Sequence, residues 1–210
     1  MGILEGKVAI VTGAGHGIGR GEALELAAEG ARVLVNDLGG SAAGDGADKR
    51  AADGTVEVIT ARGGEAVANY DDISTWEGAS NAVAQAYEAF GGHDIVVNNA
   101  GIIRDKMIVT MSEEDFDSVI RVHLKGTFAV THHACVRWRE RSKAGEVACH
   151  DPKSLLCAGS TALIIAADNQ AGQAIAVCRA CRLVHHARKR RMSSWPRSKA
   201  RSLSAATFSS

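Results

Sequence analysis

The sequence predicts an α/β protein whose parallel sheet is doubly wound by helices. Three observations predict it. A short apolar run, Val8-Ala9-Ile10-Val11, leads into a glycine-rich turn that opens a helical pattern carrying Ala23, Leu24, Leu26, Ala27 and Ala28. Apolar runs then alternate with helical stretches as far as about residue 147, the order that builds parallel sheets. Beyond that point the pattern dissolves and the composition changes. Residues 1–140 hold 12 Lys+Arg against 21 Asp+Glu, whereas residues 141–210 hold 12 against 3. Two regions are therefore expected: a doubly wound unit over 1–147, and a basic, Cys/Arg/Ser-rich tail over 148–210 whose composition predicts disorder.

The first strand and its turn carry the chemistry. In Thr12-Gly13-Ala14-Gly15-His16-Gly17-Ile18-Gly19 the three spaced glycines have separate jobs. Gly13 allows the tight turn, Gly17 lets backbone approach a pyrophosphate, and Gly19 lets the helix pack closely on the strand. The N–H groups and positive dipole end of that helix then face an anion. This is the fingerprint of a Rossmann-type dinucleotide site. Gly30 stops the helix, and Arg32-Val33-Leu34-Val35-Asn36-Asp37 is a second buried strand ending in an acid. Asp37 stands near the offset at which a carboxylate meets the adenosine ribose. It would repel a 2′-phosphate, so NAD is expected rather than NADP.

A loop over 39–54 leads to a helix over 51–62, stopped by Gly63-Gly64. Glu65-Ala66-Val67-Ala68 is a weak third strand, followed by Asn69-Tyr70-Asp71-Asp72-Ile73. Ser74-Thr75-Trp76-Glu77 has the capping-box pattern and starts a helix that ends at Gly91-Gly92. Asp94-Ile95-Val96-Val97-Asn98 is the fourth strand, and Asn98-Asn99-Ala100-Gly101 turns away from it. Ser112-Glu113-Glu114-Asp115 caps a long helix with Phe116, Val119, Ile120, His123 and Leu124 on or near one stripe. Ala162-Leu163-Ile164-Ile165-Ala166 is a candidate fifth strand.

Several classes of function are disfavoured. The N-terminus lacks a basic and long apolar leader, no run of about 18 apolar residues exists, and five cysteines fit a reducing compartment. A cytoplasmic protein with no membrane span is expected. Cys178, Cys181, His185 and His186 have metal-ligand spacing without a completing partner set, so no metal is expected. Arg188-Lys189-Arg190-Arg191 reads as a solvated basic run, with no interleaved aromatics for nucleic-acid stacking.

The glycine turn, Asp37 and Asn98-Asn99-Ala100-Gly101 together resemble the short-chain dehydrogenase/reductase family over residues 3–147. Asn36-Asp37-Leu38-Gly39-Gly40, Ala66-Val67-Ala68-Asn69-Tyr70-Asp71 and Arg121-Val122-His123-Leu124-Lys125-Gly126 resemble more narrowly its (3R)-hydroxyacyl-CoA dehydrogenase-type subgroup, that of the peroxisomal multifunctional enzymes. The resemblance implies a sheet of about seven strands, a homo-oligomer packed through the long helix, a small-molecule substrate, and hydroxyl/ketone interconversion with NAD. It implies that Gly13, Gly17, Ile18 and Gly19 line the pyrophosphate and that Asp37 holds the adenosine ribose. Asp72 and Ile73 would meet the adenine, Asn98, Ala100 and Gly101 the other ribose, and Val122 the cofactor's wall. His123 stands where many members carry an Asn that orders a proton-relay water, and a half-buried structural histidine is the competing reading.

Family catalysis also needs a Tyr, a Lys four residues later, and a preceding Ser. Here the only tyrosines are Tyr70 and Tyr87, followed four residues on by Ser74 and Gly91. No catalytic residue is assigned, and impaired activity is expected. A reading-frame change and a genuine replacement of the last third both produce this pattern. A non-catalytic nucleotide-binding or interaction protein with a basic tail is the alternative.

Overall fold

The computed structural model describes residues 2–40 and 50–145, together with the backbone of 158–159 and 162–166. The strands are β1 (Val8–Thr12), β2 (Arg32–Asn36), β3 (Ala66–Asn69), β4 (Ile95–Asn98), β5 (Ala158–Gly159) and β6 (Ala162–Ala166). The helices are α1 (Gly17–Ala28), α2 (Arg50–Ala61), α3 (Trp76–Phe90), α4 (Glu113–Ile120) and α5 (Thr127–Lys143), with a π-helical stretch at Arg121–Gly126 between the last two.

The sheet runs β3-β2-β1-β4-β6-β5, and its first four strands are parallel. Alternation along these strands divides the core into two layers. Val8, Ile10, Leu34 and Val96 face α3 and α5, where Ala79, Val83, Ala129, Val130 and Trp138 meet them. Ala9, Val11, Val33, Val35 and Val97 face α1 and α2, against Ala23, Leu26, Ala52 and Ile59. Strands covered on both faces read as continuous apolar runs. Each fully buried Val or Ile contributes roughly 1.5–3 kcal/mol relative to exposure. The predicted doubly wound α/β fold is present.

Three elements differ in detail from their expectation. Thr75, not Ser74, caps α3: its hydroxyl accepts from Gly78 N–H at 3.0 Å, while the Ser74 N–H donates to Asp72 Oδ1. The candidate fifth strand forms beside β4 as β6 but runs antiparallel, with Val96 opposite Ile165. Its other neighbour, β5, pairs with it antiparallel as well, Ala158 opposite Leu163. The long helix is divided by the π stretch, and its predicted apolar stripe faces outward. Phe116 is 55% exposed, Ile120 39% and Leu124 64%, while Ser118, Gly126, Ala129, Val130, Ala134 and Trp138 are buried. Small residues on the inner face let the helix approach closely; a Cβ on Gly126 would meet Ile73 Cδ1 at 2.6 Å. The capping box at Ser112 and Asp115 is complete. No described helix is long and apolar enough to cross a membrane.

One histidine fastens α5 to the sheet. His93, just before β4, is fully buried between Tyr87 and Trp138, with ring centroids at 5.3 and 4.8 Å. Its carbonyl accepts from Trp138 Nε1 at 2.8 Å and from Arg141 Nη1 at 3.3 Å. Neither ring nitrogen has a well-formed hydrogen bond, although the Ala134 backbone lies near enough to favour the charged form slightly. Burial, followed by the Arg141 guanidinium, pushes the imidazole down to about 3. The unfolded imidazole titrates near 6.5, so acid favours the unfolded chain. The contribution is intact above pH 6.5 and is lost as pH falls toward 3. Between pH 7 and pH 5 the folded state should lose about 2 kcal/mol from this residue. Denaturant titrations of the wild-type chain and of His93→Leu at both pH values check this; the variant should show a flatter pH dependence.

Candidate functional site

Strand order 3-2-1-4 places a topological switch point between β1 and β4, where their chains leave the sheet in opposite directions. Crevices at such points, outside the carboxyl ends of the strands, bind ligands. A cleft of about 880 Å³ opens there. Gly13, Gly17, Ile18, Asp37, Asp72, Ile73, Ala100, Gly101 and Val122 all line it. These residues come from five separate segments of the chain, and the fold brings them to one place.

The glycine turn explains itself atom by atom. Gly13 has φ +64, and a Cβ there would meet Ala100 Cα at 2.8 Å. Gly17 has φ +54, and the place of its missing Cβ is open space. Backbone at the start of α1 is thus bare toward the cleft. The cap residue His16 makes no side-chain hydrogen bond to the helix. An uncapped helix N-terminus with room in front of it suits an anion. Gly19 does not line the cleft. Its Cβ would lie 2.3 Å from both Asn99 Nδ2 and Gly13 O, so its role is close packing between α1 and the two turns.

Asp37 closes the turn from the side. Its Oδ2 accepts from Gly15 N–H and its Oδ1 from Gly39 N–H, both at 2.7 Å. These bonds orient the carboxylate and leave each oxygen further acceptor capacity. Behind it, Asn36 Nδ2 donates to Asn69 Oδ1 at 2.6 Å, and Asn69 Nδ2 donates to Asp71 Oδ2 and Gln85 Oε1. This buried amide chain fixes the ends of β2 and β3, and with them Asp71 and Asp72.

The turn after β4 assigns its two asparagines differently from expectation. Asn98 is buried, and its Nδ2 donates to Thr131 Oγ1 on α5 at 3.2 Å, away from the cleft. Asn99 lines the cleft instead, donating from Nδ2 to Thr12 O and Gly13 O at 3.0 Å. Strand alternation sends neighbouring residues to opposite sides, and the tandem asparagines conceal which one faces the ligand. His123 lies in the π stretch, and its Nε2 sits 3.1 Å from Ile102 N and 2.9 Å from Ile102 O. Its ring packs over Gly101, where a Cβ would lie 2.6 Å from Cε1. It supports the Gly101–Ile102 wall and is exposed on its other side.

Neither tyrosine belongs to the cleft. The Tyr70 hydroxyl donates to Asp53 Oδ1, and the Tyr87 hydroxyl is buried between α3 and α5. Burial holds Tyr87 above the ordinary phenol range, and the bond to Asp53 does the same for Tyr70. Neither is therefore set to release a proton near neutrality. The sets Cys178, Cys181, His185, His186 and Arg188-Lys189-Arg190-Arg191 lie outside the described residues.

Fold and cleft define a Rossmann-type α/β protein. The family model for short chain dehydrogenases matches residues 7–149, and this chain belongs to that oxidoreductase family. Peroxisomal multifunctional enzyme A of Dictyostelium discoideum is 51% identical over 136 residues, 65% of this chain and 30% of that protein. Peroxisomal multifunctional enzyme type 2 of Drosophila melanogaster is 53% identical over 130 residues, 62% of this chain and 21% of that protein. A hydroxyacyl-CoA dehydrogenase of Mycobacterium tuberculosis is 48% identical over 143 residues, 68% of this chain and 44% of that protein. The crystal structure of a short chain dehydrogenase from Mycobacterium avium superposes with a TM-score of 0.65 at 54% identity, covering 70% of this chain and 52% of that one. The chain thus spans less than half the length of these curated relatives.

Gly19→Ala forces a methyl into the 2.3 Å contacts with Asn99 and Gly13. A loss of about 1–3 kcal/mol is expected. Gly17→Ala meets no neighbour and should cost about 1 kcal/mol through its left-handed backbone alone. Urea midpoints of the two variants measure the difference.

Proposed function

We propose that residues 1–147 form an NAD-binding domain of the hydroxyacyl-CoA dehydrogenase type, and that the 210-residue chain turns over little or no substrate. The observation that carries this reading is the pairing of an open glycine cradle with a cleft that neither tyrosine reaches. Gly13, Gly17 and Ile18 fit a pyrophosphate, Asp37 the adenosine ribose, and Asp72 with Ile73 the adenine. When bound, the nicotinamide supplies a site for hydride. The chain's own part is to hold the adjoining ribose against the Ala100–Gly101 wall. Reduction of a ketone also needs a proton donor, and no described tyrosine hydroxyl stands ready to give one. The Asp37 carboxylate favours NAD over NADP, since a 2′-phosphate would bring a second negative charge against it.

The substrate class follows from the relatives: a 3-hydroxyacyl thioester or similar secondary alcohol. The outward stripe Phe116, Ile120, Leu124 and Phe128 supports a homo-oligomer, because a second copy covering it would remove large apolar side chains from water.

Calorimetric titration of NAD into the purified chain tests the reading. Binding should be measurable, weaker for NADP, and reduced about tenfold or more by Asp37→Ala, the worth of a hydrogen bond to a charged group. Steady-state assays with NAD and a 3-hydroxyacyl-CoA should stay at background. Turnover abolished by Gly17→Trp would overturn the proposal. Absence of NAD binding would remove its first half.

A further inference from the structure

We propose that Arg121 grips a phosphate group of the ligand in this cleft. The inference rests on the nucleotide reading above and extends it to a further residue that lines the same cleft. Three carboxylates, Asp37, Asp71 and Asp72, line the cleft. A ligand carrying phosphates brings further negative charge into that acidic setting. The glycine wall answers with backbone N–H groups and a helix dipole, equivalent to roughly half a charge. Full positive charge on the cleft's lining comes from Arg104 and Arg121.

The two arginines are held differently. Arg104 Nε lies 3.8 Å from Asp115 Oδ1, and Asp115 also takes Lys106 Nζ at 2.6 Å, so the charge of Arg104 is shared within a surface cluster. Arg121 has no ion pair with a described carboxylate. Its Nη2 donates to Ser118 Oγ at 3.3 Å. Ser118 in turn donates its only proton to Glu114 O at 2.6 Å, so the hydroxyl meets the guanidinium with a lone pair. Ser118 is buried and lines the cleft too, which makes it an anchor for the arginine. One of five N–H donors is spent on Ser118. The remaining donors keep a planar fork, which matches phosphate oxygens two at a time. Arg121 is also the first residue of the π stretch, where the ladder of an α-helix is interrupted. Such interruptions occur frequently at functional sites.

The chemistry recognised is a phosphate or diphosphate. It has two sources in this setting: the pyrophosphate of the dinucleotide, or the phosphates on the handle of a coenzyme A thioester. Inorganic pyrophosphate, NADH and coenzyme A are titrated separately into the full 210-residue chain, into Arg121→Gln and into Arg121→Lys. Far-UV circular dichroism checks that both variants keep the fold. Pyrophosphate binding should weaken about tenfold in Arg121→Gln, recover in part in Arg121→Lys, and lose salt sensitivity in Arg121→Gln. An equal loss for NADH assigns the phosphate to the cofactor; an equal loss confined to coenzyme A assigns it to the substrate. If all three probes bind the wild type and Arg121→Gln alike, the proposal is overturned while the nucleotide reading stands. If only pyrophosphate binds, and Arg121→Gln weakens it, Arg121 keeps its role and the nucleotide reading falls. Failure of the wild-type chain to bind any of the three overturns both.

Discussion

The structure depends on an interlock between the ends of two neighbouring strands. Thr12 closes β1, and its hydroxyl donates to Val97 O while accepting from Asn99 N–H and Ala100 N–H at 3.1 Å. Asn99 returns two bonds to the carbonyls of Thr12 and Gly13. The turn after β1 and the turn after β4 are thereby one unit, although 80-odd residues of chain separate them. The chain diverges to opposite faces at this place, so the sheet itself does not hold the two turns together beyond the last strand pair. The side chains of Thr12 and Asn99 do, with help from Thr55, whose hydroxyl donates to Ala14 O at 2.9 Å from α2. Gly19 must be bare because α1 rests directly on this knot. The glycine turn and the Asn99–Ala100–Gly101 wall of the cleft are positioned from it.

Much of this was legible in the sequence. The glycine spacing, Asp37 at the end of β2, and the tandem asparagines after β4 are local patterns with local physical causes, and the first four strands and first three helices lie within a residue or two of their expected bounds. Sequence pattern failed where a tertiary choice decides. Asn98 and Asn99 have the same side chain, and only the pleat of β4 decides which amide reaches Thr131 and which reaches the glycine turn. The stripe through Phe116, Ile120 and Leu124 has the helical period of a core face. The interior instead takes the other side: Ser118 turns to the cleft, Gly126 to Ile73, and Ala129 to the sheet, where small residues allow close approach. Ser118 itself carried no signal: a serine inside a helix reads as neutral, and its part in orienting Arg121 exists only once the cleft is assembled.

Polar groups in this protein divide into two kinds by how they are satisfied. The amides of Asn36, Asn69, Gln85 and Asn99 each bond to partners of known position, and they hold backbone at the strand ends. The His93 imidazole is kept neutral in an aromatic slot between α3 and α5, where its main-chain carbonyl rather than its ring makes the bonds. The first kind fixes the geometry of the cleft. The second ties α5 to the start of β4 at the far end of the sheet, with apolar and aromatic contact supplying the adhesion.

The helical run from α4 to α5 carries a counting constraint. The π-helical interval at Arg121–Gly126 amounts to one residue more than an uninterrupted α-helix would hold over the same rise. One residue turns a helix by about 100°. The extra residue lets α4 offer Ser118 to the cleft while α5 offers Ala129, Val130, Ala134 and Trp138 to the sheet. Without it, the two faces would fall out of phase by more than a quarter of a turn. The angular offset between ligand wall and core is thus stored as an integer, a single additional amino acid. A one-residue deletion there would misalign both faces without altering the chemistry of either.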